Sequence, residues 1–322
     1  MSRAGAILGV DTSCYTTSAA VASGGAVLSS VREPLRVPEG GRGLRQSEMV
    51  FQHNARLPEV IRRAMAEAGV SSVSGACASV KPRPAEGSYM PAFTVGEGYA
   101  RAIAAASGVP FHPTTHQEGH LRAARIGSAF DPEGRSLALH LSGGTTELLL
   151  LEGSSVTRLG ATGDLSAGQF VDRIGVALGL PFPAGPALDA LAAKAHPRSL
   201  IPATMRAGAV HFSGAEACAL RLIASGETPE AVAAEALSLI NRTLAKWIAW
   251  GASEAGADRA LLFGGVAGSL RLREGLGARF AMLGVSVALH WAMPEYAGDN
   301  AAGVALIGWE ALREGGPCDG NG

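Results

Sequence analysis

Two stretches of this chain are built to one plan, and that repetition constrains the fold more than any other feature. Residues 6 to 31, AILGVDTSCYTTSAAVASGGAVLSSV, read as a strand, a small polar turn, a second strand, a Gly-Gly turn and a third strand. Residues 137 to 159, LALHLSGGTTELLLLEGSSVTRL, follow the same grammar. A meander used twice predicts a duplicated domain. Helical periodicity follows each copy, over 44 to 68 and 94 to 107 after the first and over 165 to 179 and 229 to 255 after the second. Pro58 interrupts the first of these helices, so a kink or break is expected there. Strands followed by helices, twice over, predict two α/β domains facing each other across a cleft. The boundary is placed near residue 135, in FDPEGRS: the first domain spans 1 to 135, the second 136 to 299, and residues 300 to 322 return to pack on the first. A single doubly wound sheet is the competing arrangement.

The 322 residues are enough for two domains that each bury a core. With 47% hydrophobic residues, 17% charged and a net charge of -1, the chain is globular and advertises no strongly charged partner. Residues 1 to 135 hold 14 Lys/Arg against 11 Asp/Glu, leaving 13 against 17 in the remainder, so any RNA contact is expected in the first half or on a partner subunit. Cys14, Cys77, Cys218 and Cys318 are scattered without CxxC spacing. That argues against a cysteine-based zinc site or disulfide framework and fits a reducing cytoplasm. No apolar run approaches the ~18 residues of a membrane span, and neither membrane insertion nor export is expected.

Glycine, at 43 residues, is about twice its usual ~7% share, and three glycine- or hydroxyl-rich turns follow apolar stretches: DTSCYTTS (11 to 18), LSGGTTE (141 to 147) and FGGVAGS (263 to 269). In such turns backbone N–H groups and small hydroxyls can surround an anion. Asp11 and Ser13 of the first turn and Gly264, Gly265 and Ser269 of the third are candidate nucleotide contacts. The third leads into LRLREGLGARF, a predicted helix with its positive end at the turn. Singly, each turn also reads as a tight hairpin; no GxxxxGK[ST] occurs, and no GxGxxG follows a strand.

His116 and His120 stand four apart in a helical stretch, on one face and able to aim at one ion. Two ligands do not make a site, and a solvated face is the plain alternative until a third ligand arrives from elsewhere. An HExxH peptidase is disfavoured, because Gln117 follows the first histidine and Glu118 lies about 200° round the helix from it.

Six blocks in order, THQEGH, LSGGTTELLLL, SAGQFVDRIGVALGLPFPAGPALDALA, HFSGAEACALRL, GGVAGSLRLRE and GDNAAGVALIGWE, resemble the tRNA threonylcarbamoyladenosine transferase family, TsaD-like and formerly called glycoproteases. The resemblance spans nearly the whole chain. It implies an actin/hexokinase/Hsp70-type (ASKHA) fold, α/β and duplicated, with two domains around a nucleotide-binding cleft. The implied activity joins a threonylcarbamoyl group, delivered as its mixed anhydride with AMP, to N6 of the anticodon-adjacent adenosine of tRNA. The implied cofactors are one divalent ion, Fe or Zn, and an adenine nucleotide or threonylcarbamoyl-AMP. The implied metal ligands are His116, His120 and Asp299, with His140 a possible fourth ligand or simply a strand residue. Nucleotide contacts carry over to Leu141, Ser142, Gly143, Gly144, Asp172, Gly185 and Asp189. Partners implied are tRNA, accessory protein subunits, and a second copy or a related ASKHA protein in a dimer.

Some positions depart from the family pattern. Tyr15 and Thr16 replace an acidic pair after the first turn's cysteine, KPRPAEGSYMPAF (81 to 93) replaces a glycine-rich segment, and Ser269 stands where Asn is usual. Lys81 and Arg83 read either as contacts to a phosphate or carboxylate or as solvated loop charges. These changes mark a divergent paralogue and leave two other readings open: a related transferase with a different acceptor, and a catalytically idle nucleotide-binding partner subunit.

Overall fold

The computed structural model describes residues 5 to 13, 15 to 38, 44 to 153 and 155 to 314; Cys14 and Cys318 lie outside them. In chain order the elements are β1 (Ile7–Thr12), β2 (Thr16–Ser23), β3 (Ala26–Pro34), α1 (Gln46–Ala68), β4 (Gly75–Lys81), α2 (Pro91–Ser107), β5 (Phe111–Thr115) and α3 (His116–Ala124). There follow β6 (Arg135–Leu141), β7 (Thr146–Glu152), β8 (Ser155–Ala161), α4 (Ala167–Ala177), α5 (Gly185–Ala192), β9 (Thr204–Arg206), β10 (Ala209–His211), α6 (Ser213–Ala224) and α7 (Pro229–Ala255). The chain ends with β11 (Arg259–Phe263), a 3-10 turn (Gly265–Gly268), α8 (Leu270–Leu283), β12 (Ala288–Trp291), α9 (Pro294–Ala297) and α10 (Ala302–Arg313).

Two compact units result, one formed by the chain up to Ile126 together with the chain from Asp299 onward, the other by Gly127–Gly298. Each carries a five-stranded mixed sheet of the same order, β3-β2-β1-β4-β5 in the first and β8-β7-β6-β11-β12 in the second. In both, the meander strands pair antiparallel and the two later strands add in parallel. The duplication is therefore structural, and a single doubly wound sheet is ruled out.

The division falls ahead of residue 135 because α3 is the last element before the chain leaves the first unit. Phe130 already meets His290 edge to face, and Arg259 donates to the carbonyl of Asp131, both within the second unit. Asp299 belongs with the first unit, where the sequence reading had left it at the end of the second domain. The return is driven by α10, whose Ala302, Gly303, Val304, Ala305 and Leu306 are buried. This helix packs on β1, β4 and α3. Gly9 of β1 faces Ala305 so closely that a Cβ at position 9 would overlap its backbone.

On α1 a single buried stripe runs through Met49, His53, Leu57, Val60, Ala64 and Ala68. The expected break at Pro58 does not occur, since α1 is continuous to Ala68. Proline leaves the carbonyl of Asn54 without its helical donor, and the Tyr99 hydroxyl donates to that oxygen at 3.5 Å. In the second unit α7 is the central helix, buried on most of its circumference, with Trp247 fully covered and its indole N–H donating to Gly208 O at 2.8 Å. No helix among the described residues is long and apolar enough to cross a membrane.

Candidate metal centre

In the first unit β1, β4 and β5 run parallel, so their carboxyl ends, at Thr12, Lys81 and Thr115, lie along one edge of the sheet. That edge is where open α/β sheets hold ligands. Asp11 arrives from β1, and α3 begins directly after β5, so its first residue, His116, is delivered to the same edge. A capping box fixes the start of the helix: the Thr115 hydroxyl accepts from the Glu118 amide at 3.3 Å, and the Glu118 carboxylate accepts from the Thr115 amide at 2.9 Å. Glu118 also takes the hydroxyls of Thr114 and Thr115. It is a cap rather than a base, a role legible in the spacing of Thr115 and Glu118 that the sequence reading missed.

His116 Nε2 and His120 Nε2 lie 3.0 Å apart, and Asp299 Oδ1 is 3.7 Å from the first and 3.1 Å from the second. Three atoms so separated are equidistant, at about 1.9 Å, from a point in their own plane; an ion at the ~2.0–2.2 Å bond lengths of zinc therefore fits just off it. Two imidazoles and one carboxylate on one side of an ion leave its other side open, the arrangement of facial triads and catalytic zinc sites. These three residues are the group of potential ligands found among the described residues.

Behind these three atoms stand residues that the sequence reading had assigned to nucleotide. Asp11, fully buried, lies with Oδ1 3.0 Å from Nδ1 of His116. A carboxylate there holds the proton on Nδ1 and turns the Nε2 lone pair outward. The other oxygen of Asp11 is buried without a hydrogen-bond partner among the described residues, so a strong negative potential is built in beside the triad. Ser13 donates to Asp299 Oδ2 at 2.8 Å, leaving Oδ1 for the imidazoles. Burial opposes charge on both partners. Even so, Asp11 and Asp299 raise the pKa of His116 to about 9, while hydrogen bonding from His120, the charge of both rings and the Ser13 hydroxyl hold Asp299 well below the usual carboxylate range. A metal ion taken up there would have to displace the His116 proton, because imidazole ligates in its neutral form. The Phe93 ring, at 5.6 Å, closes one side of His116.

Tyr15 is 43% exposed, with its carbonyl taken by the Leu35 amide, and the altered 81 to 93 segment borders the site: Pro82 accepts from the Gln117 amide, and Phe93 belongs to that segment. In the GDN sequence, Asn300 Oδ1 accepts from the Ala302 amide and so shapes the entry to α10.

The remaining candidates lie in the second unit. Gly143 and Gly144 are exposed at the tip between β6 and β7. The neighbouring carbonyls are taken by α4, with Ser166 donating to Gly143 O at 2.7 Å and the Gly168 amide to Ser142 O at 3.2 Å. Leu141 has its side chain in the core, so only its backbone is available to a ligand. Gly264, at φ +96, packs against the Leu141 backbone, and Gly265 is exposed. Ser269 caps α8 through the Leu272 amide and donates to Asp189, tying the third turn to α5. Asp172 accepts from the Ala184 amide at 2.8 Å, just ahead of Gly185, and burial pushes its carboxyl up. His140 is stacked on Phe263 at 4.7 Å, the placement of a strand residue paired with its cross-strand neighbour.

Solved structures place the fold in the ASKHA class. The chain superposes on HypF from T. kodakarensis with a TM-score of 0.64 at 17% identity, covering 96% of this chain and 48% of that one. It superposes on the ROK hexokinase from Thermus thermophilus with a TM-score of 0.52 at 21% identity, covering 96% and 100%. Sequence comparison is more specific. Residues 39–306 match the family described as TsaD, tRNA N6-adenosine threonylcarbamoyltransferase. A protein of that name from Thermus thermophilus is 32% identical over 323 residues, 98% of this chain and 94% of its own length. The chain belongs to the tRNA N6-adenosine threonylcarbamoyltransferase family.

Proposed function

We propose that this protein transfers a threonylcarbamoyl group from its mixed anhydride with AMP to N6 of adenosine in tRNA. The observation that carries the proposal is the convergence of His116 Nε2, His120 Nε2 and Asp299 Oδ1, backed by Asp11 and Ser13, in a chain of this family. Those three atoms would hold one divalent ion, iron or zinc; both suit two imidazoles and a carboxylate. When bound, such an ion supplies Lewis acidity to the carbamoyl carbonyl. Asp11 keeps the His116 proton on Nδ1, and Ser13 fixes which oxygen Asp299 presents. In the second unit the exposed amides of the Gly143–Gly144 tip and of Gly265 are suited to the phosphate of AMP. Asp172, Gly185, Asp189 and Ser269 would shape the nucleoside site around it, and His140 would remain a strand residue stacked on Phe263.

The bond that forms joins the adenosine amine to the carbamoyl carbon; the bond that breaks frees AMP, and the amine loses one proton. No protein nucleophile is required, because the attacking amine belongs to the RNA. Accessory subunits, or a dimer with a second copy or a related protein, would complete RNA binding, in keeping with a nearly neutral chain; a cytoplasmic location fits its cysteine usage. The test is incubation of the purified protein with tRNA, threonylcarbamoyl-AMP and accessory subunits, followed by mass analysis of the nucleosides. Threonylcarbamoyladenosine is expected; its absence beside a competent family enzyme would overturn the assignment.

A further inference from the structure

The hydrogen-bond chain behind the triad does not end at Ser13. His53 lies on the buried stripe of α1, with no solvent exposure, and both its nitrogens are engaged. Nε2 is 2.8 Å from the carbonyl oxygen of Ser13, and Nδ1 is 2.8 Å from the hydroxyl of Thr17. A carbonyl oxygen can only accept, so Nε2 carries the proton and Nδ1 accepts from Thr17. Burial lowers the pKa of His53, in keeping with this neutral tautomer. The residue it grips, Ser13, then reaches Asp299 Oδ2 with its own hydroxyl. One imidazole on α1 thereby ties together β2, the end of β1 and the segment leading into α10.

We propose that His53 is a positioning residue for the metal centre. By pinning the Ser13 carbonyl it aims the Ser13 hydroxyl at Oδ2 of Asp299 and so leaves Oδ1 facing the two imidazoles. The proposal rests on the reading of His116, His120 and Asp299 as metal ligands. A leucine at position 53 fills similar volume but offers no N–H to Ser13, whereas glutamine keeps a donor near Nε2. Outer hydrogen-bond partners of metal ligands are worth roughly 10- to 100-fold in affinity.

The test is Co(II) binding to the full chain, measured by chelator competition and by the visible ligand-field spectrum, with thermal midpoints recorded in parallel. H53L is expected to weaken Co(II) binding at least about tenfold and to shift the spectrum, and H53Q to recover most of both. S13A should match H53L, and the double variant should be no worse than either, because both cut the same chain. Wild-type affinity and spectrum in H53L, or additive losses in the double variant, would overturn the proposal by reducing His53 to a packing residue. Should H53L fail to fold, T17V carries the test: it loosens the ring, and wild-type binding there counts against the role. If the wild-type chain takes up no Co(II), or H116A keeps it, the ligand reading itself fails and the proposal falls with it; loss in H116A beside unchanged H53L defeats His53 alone.

Discussion

Asp299 divides its work between two oxygens, Oδ2 taking the Ser13 hydroxyl and Oδ1 facing the two imidazoles. Removal of the ligands is therefore expected to be total: His116→Ala and Asp299→Ala should each abolish stoichiometric metal, and metal retained by both would defeat the assignment. Asp11 acts from behind. Asp11→Asn should weaken metal binding about 10- to 100-fold while leaving the ligands in place, as read by chelator competition. The same carboxylate governs the pH dependence of the metal-free chain. The fold holds His116 protonated to about pH 9, against an ordinary 6.5, so its contribution to stability is complete below 6.5 and is lost as pH rises through 9. His53, lowered by burial, acts oppositely; its cost is absent above 6.5 and grows as pH falls below that value. The thermal midpoint of the metal-free protein should thus fall between pH 6.5 and 9, and Asp11→Asn should flatten that fall. A slope that persists unchanged in the variant would mean that another group titrates there.

The separation of α3 from α10 decides whether the ligands meet. Gly119 and Gly303 face each other across that contact; a Cβ on Gly303 would overlap the Gly119 carbonyl, and one on Gly119 would strike Val304. Arg122 adds an ion pair to Glu310 at 2.7 Å. Gly303→Ala should destabilise the chain by about 1–3 kcal/mol, measured by denaturant unfolding, and should also weaken metal binding, because it pushes the histidine helix away from the Asp299 segment. Wild-type stability in this variant would show that the two helices have slack. At this scale legibility was uneven. The meander strands and the helices α1, α2, α4 and α7 were readable from alternation, glycine turns and periodicity. The parallel strands β4, β5, β11 and β12 were not. GACASVK carries no alternation because most of it is buried and has no polar side to mark, and FHPTT, at the sheet edge, is only five residues long and holds a proline.

Across the whole molecule the chain leaves its first unit after Ile126 and rejoins it at Asp299. A chain ending at Gly298 should therefore lose both metal and the cooperative protection of β1, β2 and β4, while β6, β7 and β11 keep theirs; hydrogen exchange followed by mass spectrometry distinguishes the two sheets. Equal protection in both would show that α10 is dispensable to the first unit. The duplicated fold and the family were legible in the sequence, as was the shared face of His116 and His120, since turn chemistry, periodicity and ordered motifs are local properties of a chain; Asp299 joined the two histidines only through the resemblance. The placement of Asp11, Ser13 and His53 around that triad was not legible. Asp11 and Ser13 looked like members of a phosphate turn, and His53 drew no reading of its own within the helical stretch 44 to 68, because a side chain's partners are set by which strands are neighbours and how closely helices approach. Those are distances between residues far apart in sequence, and packing alone decides them.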